Sequence, residues 1–268
     1  MTYSKLERLR AAVRSAGSAA VAFSGGSDSA LVAKVAREVL GDRAVAVTID
    51  SPLFPRGELR GARATARAMG IEHFVVRMDL LSDPSFSANT PERCYTCKLR
   101  GFLEVRKVAD EHSLAHVLDG SNADDALAFR PGLRAKRETG VRSPLEEAGM
   151  GKKDVLRTSK RMGLATYMNA PSPCLATRVP YGDRLTPQLL HRIEMAEDCL
   201  ARIGFRQVRV RAHGDTARIE VAKGQVQALA RPGGRDEVVR RLKSLGFTYV
   251  TVDLEGYRAG SMDEVLGR

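Results

Sequence analysis

The chain has 268 residues, of which 43% are hydrophobic, and 43 Lys and Arg against 32 Asp and Glu set a formal net charge of +11. The hydrophobic fraction is enough for a buried core and excludes an intrinsically disordered chain, and the length suits one large domain or two modest ones. No apolar run reaches the roughly 18–20 residues of a membrane span, and the charged N-terminal stretch lacks the apolar core of a secretory signal. We therefore expect a cytoplasmic protein without membrane attachment. Its positive charge is compatible with a solvated surface, with RNA and with phosphorylated small substrates.

The first two thirds of the chain alternate between strand-like and helix-like segments. Apolar runs and helical spacing predict strands at 19–23, 44–49, 71–78 and 116–119, and helices at 29–40, 58–69 and 97–112. This order is typical of a parallel sheet with helices on both faces. Ligands of such sheets bind beyond the carboxyl ends of the strands.

The segment at 164–183 interrupts this pattern, because it contains three prolines and has no clear period. We interpret it as a long functional loop at a domain boundary. After it, the pattern predicts helices at 187–203 and 235–245 and strands at 207–211, 217–221 and 249–254. The sequence thus predicts an α/β protein with a larger domain at 1–170 and a smaller C-terminal α/β domain for substrate binding or oligomerisation at 171–268.

The strongest local motif is Ser24-Gly25-Gly26-Ser27-Asp28-Ser29, which leads from a strand directly into a helix. Its glycines let the backbone approach an anion, and the N–H groups of the turn and helix start point towards it. Ser24 and Ser29 add hydroxyl donors, and Asp28 suits an anion site only if Mg²⁺ also binds there. The motif is neither Walker A nor G-x-G-x-x-G. A helix-capping turn explains one of these polar residues, but not four.

This motif resembles the PP-loop of the ATP pyrophosphatases. The resemblance implies an adenine-nucleotide α-hydrolase-like fold and cleavage of ATP between its α and β phosphates, which yields an adenylated substrate and pyrophosphate. It also implies that the loop holds the leaving pyrophosphate. The end of the next strand, at residues 48–51 with Asp50, is then expected to meet the adenine.

A polar segment at residues 119–125 follows the fourth predicted strand. Its position suits contacts of Ser121, Asp124 and Asp125 with ribose, phosphate or Mg²⁺. A polar turn that caps a helix is the alternative interpretation.

Four cysteines, at positions 94, 97, 174 and 199, indicate further chemistry. Disulfides are rare in the cytosol, and a Cys94-x-x-Cys97 pair with a distant Cys174 is typical of metal, cluster or redox sites. The alternatives for Cys94 and Cys97 are a zinc-binding pair or two buried thiols. Zinc is disfavoured because it would need four ligands. Cys199 lies in a helical pattern, and we expect an ordinary buried thiol there.

Several segments, taken in order, resemble the LarE family, the sulfur transferases that build the nickel-pincer nucleotide cofactor. They are SPLFPRGEL near Ser51, GSNADD at 120–125, RPGLRA at 130–135, VRSPLEEAG at 141–149, PCLATRVPYG at 173–182 and GYRAGSMDE near the C-terminus. The resemblance covers nearly the whole chain. It implies that ATP adenylates a carboxylate of pyridinium-3,5-biscarboxylate mononucleotide, and that sulfur then displaces AMP to leave a thiocarboxylate. It also implies a homo-oligomer such as a hexamer.

The resemblance leaves two sources for the sulfur. In one branch of the family, a single cysteine in the Pro-Cys-Leu-Ala segment, here Cys174, gives up its own sulfur and becomes dehydroalanine. This chain resembles a second branch more closely, in which three cysteines, here Cys94, Cys97 and Cys174, hold a [4Fe–4S] cluster whose open iron binds an extra sulfide. We favour the cluster, and the donor of that sulfide stays unidentified.

Arginines near these motifs suit an anionic substrate. Arg178 follows Cys174 by four residues, and Arg209 and Arg211 are two apart on a predicted strand and so share one face. Both guanidiniums can reach one phosphate or carboxylate, although a solvated strand face is the alternative. Glu220, on the following strand, resembles a family carboxylate near the same site. We predict catalytic roles for Cys174, Asp28 and Arg178.

Two other functions compete with small-molecule sulfur transfer. Some PP-loop tRNA thiolases use a C-x-x-C pair and a third cysteine, and the net charge suits RNA. However, the chain has no zinc-ribbon cysteines, no added RNA-binding domain and only 5% aromatic residues for base stacking. A nucleotide-binding sensor with an inactive site conflicts with the intact PP-loop. We therefore expect a small nucleotide substrate and no nucleic acid partner.

Overall fold

The computed structural model describes residues 4–125, 132–168, 173–205 and 207–267. Its helices, labelled α1 to α11 in chain order, are Lys5–Arg14, Ser27–Leu40, Arg56–Met69, Pro84–Ser87, Arg93–Glu111, Gly132–Glu138, Pro144–Glu147, Lys152–Arg161, Pro187–Arg202, Val226–Leu229 and Gly234–Ser244. Its strands, labelled β1 to β7, are Ala19–Ala22, Ala44–Asp50, Glu72–Arg77, His116–Leu118, Val208–His213, Thr216–Val221 and Tyr249–Val252. Within these ranges no helix is long and apolar enough to span a membrane.

Strands β1 to β4 form a parallel sheet in the order β3-β2-β1-β4. Ala19 of the central strand β1 pairs with Ala44 on one side and with His116 on the other. The small, apolar residues of β1 are almost wholly buried, as expected for a strand covered on both faces. The predicted fold class is confirmed, since this α/β architecture is consistent with the adenine-nucleotide α-hydrolase-like fold.

Helices cover both faces of this sheet. One group of buried side chains joins Val21 of β1 to Leu31 of α2, and a second joins Ala20 of β1 to Phe102 and Val105 of α5. Successive strand residues point to opposite faces, so Ala20 and Val21 belong to separate cores. Burying a side chain such as Leu31 contributes about 1.5–3 kcal/mol. The two layers thereby hold the carboxyl edge of the sheet in a defined position.

Periodicity predicts the long elements well and the short ones poorly. The largest shift among the predicted elements is at α5, which begins at Arg93 rather than at residue 97. The pattern does not predict α4, α6, α7 and α10, because helices of 4 to 7 residues are too short to display a helical period, and it also misses the ten-residue helices α1 and α8. The loop predicted at 164–183 contains 3-10 turns at Ala165–Met168 and Leu175–Arg178. The domain boundary predicted at 170–171 lies outside the described residues.

The chain divides into two compact units. The first comprises Met1–Ser51, Arg56–Asp79 and Glu92–Pro171, and the second comprises Pro52–Pro55, Leu80–Pro91 and Ser172–Arg268. Two short segments from the predicted N-terminal domain thus group with the C-terminal unit. The reason is backbone hydrogen bonding, because Leu175 N donates to Leu53 O and Leu185 N donates to Ser87 O, both at 2.8 Å.

The second unit contains a smaller sheet in the order β5-β6-β7. Strand β5 is antiparallel to β6, with Val210 opposite Ile219, and β6 is parallel to β7. Helix α9 begins after Thr186, whose hydroxyl accepts from Leu189 N, and packs against β5. This arrangement positions the charged side chains of β5 and β6 described below.

Candidate active site

The predicted phosphate loop lies between β1 and α2. Strand β1 ends at Ala22, and α2 begins at Ser27, two residues earlier than predicted. Gly26 is the N-cap residue and provides no side-chain cap. The first N–H groups of a helix have no intrahelical partner, so this helix start suits an anionic ligand.

Two serine hydroxyls hold the loop together. Ser29 Oγ accepts from Ser24 N at 3.2 Å, donates to Gly26 O at 3.2 Å and lies 3.1 Å from Ser24 Oγ. Because both serines are tied to the loop backbone, the curvature of the loop is set by its own side chains. The loop therefore has a conformation that its own hydrogen bonds define.

Two glycines allow close backbone contacts around this loop. Gly25 has a φ of +78°, and a Cβ added there would lie 2.9 Å from Ala62 Cα on α3. A Cβ added at Gly120 would lie 2.7 Å from Ser29 N. Larger residues at either position would push these segments apart. Gly120 thus brings the polar segment at 119–125 against the start of α2, as the position of that segment after β4 predicts.

The side chains of this polar segment bond largely to the segment itself. The buried Asp119 carboxylate accepts from Ser121 N at 3.1 Å, from Ser121 Oγ at 2.6 Å and from Ser143 Oγ at 2.6 Å. Asp125 accepts from Asn122 N at 3.1 Å, and Asp124 accepts from the N–H of Lys152 at 2.7 Å. Ser121, Asp124 and Asp125 therefore shape the loop, and their contacts with a nucleotide stay predictions.

Asp28 is held by two residues that the sequence motif does not reveal. Asn122 Nδ2 donates to Asp28 Oδ1 at 3.1 Å, and Lys152 Nζ forms an ion pair with Asp28 and donates to Ser27 Oγ at 2.8 Å. Lys152 is the first residue of α8 and lies 124 residues from Asp28 in the chain. Mg²⁺ favours one or two carboxylates together with phosphate oxygens, so the Asp28 carboxylate beside loop hydroxyls fits this ion.

The end of β2 contacts the base of the phosphate loop. Thr48 Oγ1 donates to Phe23 O at 2.6 Å, so His73 Nε2, 2.8 Å away, donates to Thr48. Burial, and then the positive charge of Arg63, lower the pKa of His73 below its ordinary value. Asp50 bonds to Arg56 Nη1 at 2.5 Å. The predicted adenine contact at this strand end thus includes a carboxylate that is paired with α3.

Cys94 and Cys97 lie in the first turn of α5. Residues three apart on a helix share a face, so both thiols belong to the same side of this turn. Tyr95, between them, donates its hydroxyl to Glu138 at 2.5 Å, and the Arg134 guanidinium lies 3.6 Å from the centre of the Tyr95 ring. Helix α6 therefore contacts Tyr95, the residue that follows Cys94. Both thiols are half-buried, and no described cysteine forms a disulfide.

In the second unit, Arg178 holds the backbone around Cys174. The Cys174 carbonyl accepts from Arg178 Nη1 at 3.1 Å and from Thr177 Oγ1 at 2.8 Å. Arg178 is only 1% exposed, and Glu197 of α9 accepts from its Nε at 2.9 Å and from its Nη2 at 3.0 Å. These contacts identify Arg178 as a residue that positions Cys174. A direct catalytic contact of Arg178 stays a prediction.

Strands β5 and β6 carry a buried charge network. Arg211 Nη2 donates to Glu220 Oε2 at 2.6 Å and to Ser261 Oγ at 3.0 Å, while Arg218 Nη2 donates to Glu220 Oε1 at 3.3 Å. Two guanidiniums thus share one fully buried carboxylate. The Nε atom of Arg218 lies 3.8 Å from Asp253 Oδ2 in an ion pair, whereas that of Arg211 is buried without a hydrogen-bond acceptor among the described residues. Such an orphan donor costs about 1–3 kcal/mol, and an anionic oxygen is the natural partner for it.

Arg209 lies on the same face of β5 as Arg211, as the spacing predicts. Its Nη1 donates to Val208 O at 2.7 Å, and its guanidinium lies 5.2 Å from the centre of the Tyr257 ring. Burial, and then repulsion from Arg178, lower the pKa of Arg209. A negative ligand would relieve this repulsion.

No group of three His, Cys, Asp or Glu side chains within the described parts of the chain is arranged to hold a metal ion. Cys94 and Cys97 belong to the first unit and Cys174 to the second. The three-cysteine site therefore stays a prediction. Cys199 is buried in α9, as its helical pattern predicts.

Comparison with known proteins adds to this geometry. Residues 6–141 match the family model described as asparagine synthase. The chain is 39% identical to the pyridinium-3,5-bisthiocarboxylic acid mononucleotide synthase of Lactiplantibacillus plantarum, over 98% of this chain and 95% of that protein. It is 41% identical to an uncharacterized protein of Synechocystis sp., over 99% of both chains. It is also 30% identical to an uncharacterized protein of Methanocaldococcus jannaschii, over 89% of this chain and 90% of that protein.

Proposed function

Because the chain belongs to the LarE family of PP-loop enzymes, which use ATP and form AMP and pyrophosphate, we propose that it converts a carboxylate of pyridinium-3,5-biscarboxylate mononucleotide to a thiocarboxylate. The observation that carries the proposal is the phosphate loop. Asp28 is joined there to Asn122 and Lys152, in a chain that is similar over nearly its full length to a synthase of the corresponding bisthiocarboxylic acid.

The first step is adenylation. A carboxylate oxygen of the substrate attacks the α-phosphorus of ATP, the bond from this phosphorus to the bridging oxygen breaks, and pyrophosphate leaves. The N–H groups at the start of α2 and the Lys152 ammonium are suited to bind the leaving pyrophosphate. Bound Mg²⁺ supplies further charge neutralisation, and Asp28 is the carboxylate that fits it.

The second step replaces AMP by sulfur. A sulfur nucleophile attacks the acyl carbon, the carbon–oxygen bond to AMP breaks, and a thiocarboxylate remains. Adenylation is required because a free carboxylate has no good leaving group, whereas a thiolate or sulfide is a strong nucleophile near neutral pH.

We propose Cys94, Cys97 and Cys174 as ligands of a [4Fe–4S] cluster, which when bound supplies a sulfide on an iron without a protein ligand. The half-buried thiols of Cys94 and Cys97 on one helix face, and the position of Cys174 beside a backbone held by Arg178, support this assignment. The alternative is that Cys174 gives up its own sulfur. That route would end after one turnover and would leave the cysteine pair without a role.

The arginines of the second unit are proposed to bind the anionic groups of the substrate. Arg211 and Arg209 are supported by their burial and by their shared strand face, and Arg218 is added because it shares the buried Glu220 carboxylate with Arg211. The substrate carries a phosphate and carboxylates, which guanidinium groups bind with two parallel hydrogen bonds. By resemblance to the family we also propose a homo-oligomer.

The proposal is tested with purified protein, ATP, Mg²⁺ and the biscarboxylate mononucleotide. We expect pyrophosphate release that depends on this substrate, and a product whose mass shows oxygen replaced by sulfur. Asp28→Ala and Ser29→Ala are expected to abolish pyrophosphate release. A wild-type protein that releases no pyrophosphate with this substrate, or that instead thiolates tRNA, would contradict the proposed function.

The cluster needs a separate measurement. Protein purified without oxygen is expected to hold about four iron and four acid-labile sulfide per chain. Cys94→Ala, Cys97→Ala and Cys174→Ala should each lose them, whereas Cys199→Ala should not. Absence of iron after reconstitution would reject the cluster and leave Cys174 as the sulfur donor.

A further inference from the structure

Asn89 is a buried residue in an unfavourable backbone conformation. Its φ is +56°, and its side chain is inaccessible to solvent. Within the described residues, Ser113 is the other non-glycine residue with positive φ, and it is exposed. Asn adopts the left-handed region more readily than most residues, but surrounding contacts must stabilise it there.

Those contacts join Asn89 to the segment that follows Cys174. Asn89 Nδ2 donates to Pro180 O at 2.7 Å and to Val179 O at 3.3 Å. In return, Asn89 O accepts from Gly182 N at 3.2 Å. All these residues belong to the second unit. One side chain thus donates to two consecutive carbonyl groups, of which Pro180 O also accepts from Asp183 N at 3.2 Å.

The three hydrogen bonds of Asn89 to Val179, Pro180 and Gly182, called the clamp below, lie near both groups of cysteines in the sequence. Asn89 lies five residues before Cys94, and Val179 lies five residues after Cys174. Arg178 holds the Cys174 carbonyl directly, while Asn89 fixes the backbone immediately downstream of Arg178. The same residue also precedes the Cys94 and Cys97 pair in the chain.

We propose that Asn89 is a positioning residue for the sulfur-transfer step. Its amide holds the segment after Cys174 in the conformation that sulfur transfer requires, and its left-handed backbone fixes the donor side of this contact. This inference rests on the proposed function, because it assigns Asn89 to the second of the two steps. Adenylation depends on the phosphate loop in the first unit and does not require this clamp.

The test compares the two steps in variants of one residue. Asn89→Asp keeps the size of the side chain but replaces the donor by an acceptor, and Asn89→Gly removes the amide while permitting the positive φ. Ser113→Gly is the matched control, because Ser113 is the other non-glycine residue with positive φ in the described ranges and lies far from these contacts in sequence. The readouts are pyrophosphate release, thiocarboxylate formed per pyrophosphate, and iron per chain.

In a single turnover, both Asn89 variants are expected to keep pyrophosphate release within about twofold of wild type, because adenylation precedes the step that Asn89 is proposed to affect. Thiocarboxylate per pyrophosphate should fall by about tenfold or more, since small displacements of reacting groups can reduce rates by that much. Ser113→Gly should leave the ratio unchanged. A wild-type ratio in Asn89→Gly, or an equal loss of both steps, would overturn the inference.

This design separates the inference from the proposed cluster. If wild-type protein lacks iron, the cluster is rejected, yet the product ratio still tests Asn89, because Cys174 would then be the sulfur donor held by the same segment. If wild-type protein holds iron and the Asn89 variants retain both the iron and the product ratio, Asn89 has no role in positioning.

Discussion

The ammonium of Lys152 forms an ion pair with the carboxylate of Asp28. A side chain from the start of α8 thus reaches the phosphate loop at the start of α2. The position of Lys152 is set by Asp124, which accepts from the Lys152 N–H, and by Gly151, where a Cβ would lie 2.6 Å from Asp124 Oδ1. The polar segment after β4 thereby positions the Lys152 cation at the loop. We expect this cation to exchange Asp28 for phosphate oxygens when ATP and Mg²⁺ bind.

Lys152→Gln should therefore slow adenylation strongly. Loss of one charge-stabilising donor in an active site typically reduces kcat by about 10²–10³-fold, and we expect a reduction of that order in pyrophosphate release. Lys153→Gln, at the exposed neighbouring position, is the control and should be close to wild type. Equal rates for the two variants would exclude Lys152 from phosphate binding.

Gly25→Ala should impair the loop by two physical effects. The positive φ costs a non-glycine residue about 1–2 kcal/mol, and the new Cβ would lie 2.9 Å from Ala62 Cα, which is backbone and cannot rotate away. Gly17→Ala shares the positive φ of +69° but meets no atom within 4 Å. Urea unfolding should show a larger decrease in the free energy of unfolding for Gly25→Ala than for Gly17→Ala. Only Gly25→Ala should lose pyrophosphate release. A similar loss in both variants would show that the close approach to α3 is unimportant.

Glu220→Gln should destabilise the second unit. The carboxylate is inaccessible to solvent and pairs with Arg211, which is 4% exposed, and with Arg218. Removing one partner of a buried ion pair costs about 3–5 kcal/mol, because the remaining charges lose their compensation. Chemical denaturation followed by circular dichroism measures this loss, and Glu111→Gln, at an exposed site, is the control.

We further expect phosphate ions to stabilise the wild-type protein more than the Arg211→Leu variant.

The free energy of unfolding should depend on pH through His73. Its pKa is lowered in the folded protein, first by burial and then by Arg63, so the unfolded chain binds the proton more tightly. The stabilisation is complete above the unfolded pKa of about 6.5 and is lost as the pH falls below that value towards the folded pKa.

His73→Gln should weaken this dependence, and urea midpoints at several pH values on either side of the unfolded pKa measure it. His191→Gln, at an exposed position on α9, provides the comparison. An unchanged pH profile in His73→Gln would show that His73 does not carry the effect. His213 also has a pKa lowered mainly by burial, so part of the dependence should persist.

The parallel sheet and the phosphate loop can be read from the amino-acid sequence alone. Both depend on information that is contiguous in the chain. Strand β1 is an uninterrupted apolar run, and the Ser24-to-Ser29 motif carries its own glycines and the hydroxyls that bond to its backbone. The same local information carries the family resemblance, which the similarity to the Lactiplantibacillus plantarum synthase confirms.

The distant residues that contact these motifs are visible only in the folded chain. Lys152 reaches Asp28 across 124 residues, and Arg218 joins Arg211 through Glu220 because β5 and β6 pair in one particular register. No local pattern distinguishes Lys152 from any lysine at a helix start. Arg178 follows Cys174 by four residues, and we predict a catalytic role for it. Its guanidinium donates to Glu197 and to the Cys174 carbonyl. Strand order and side-chain packing determine such contacts, and periodicity along the chain carries no information about them.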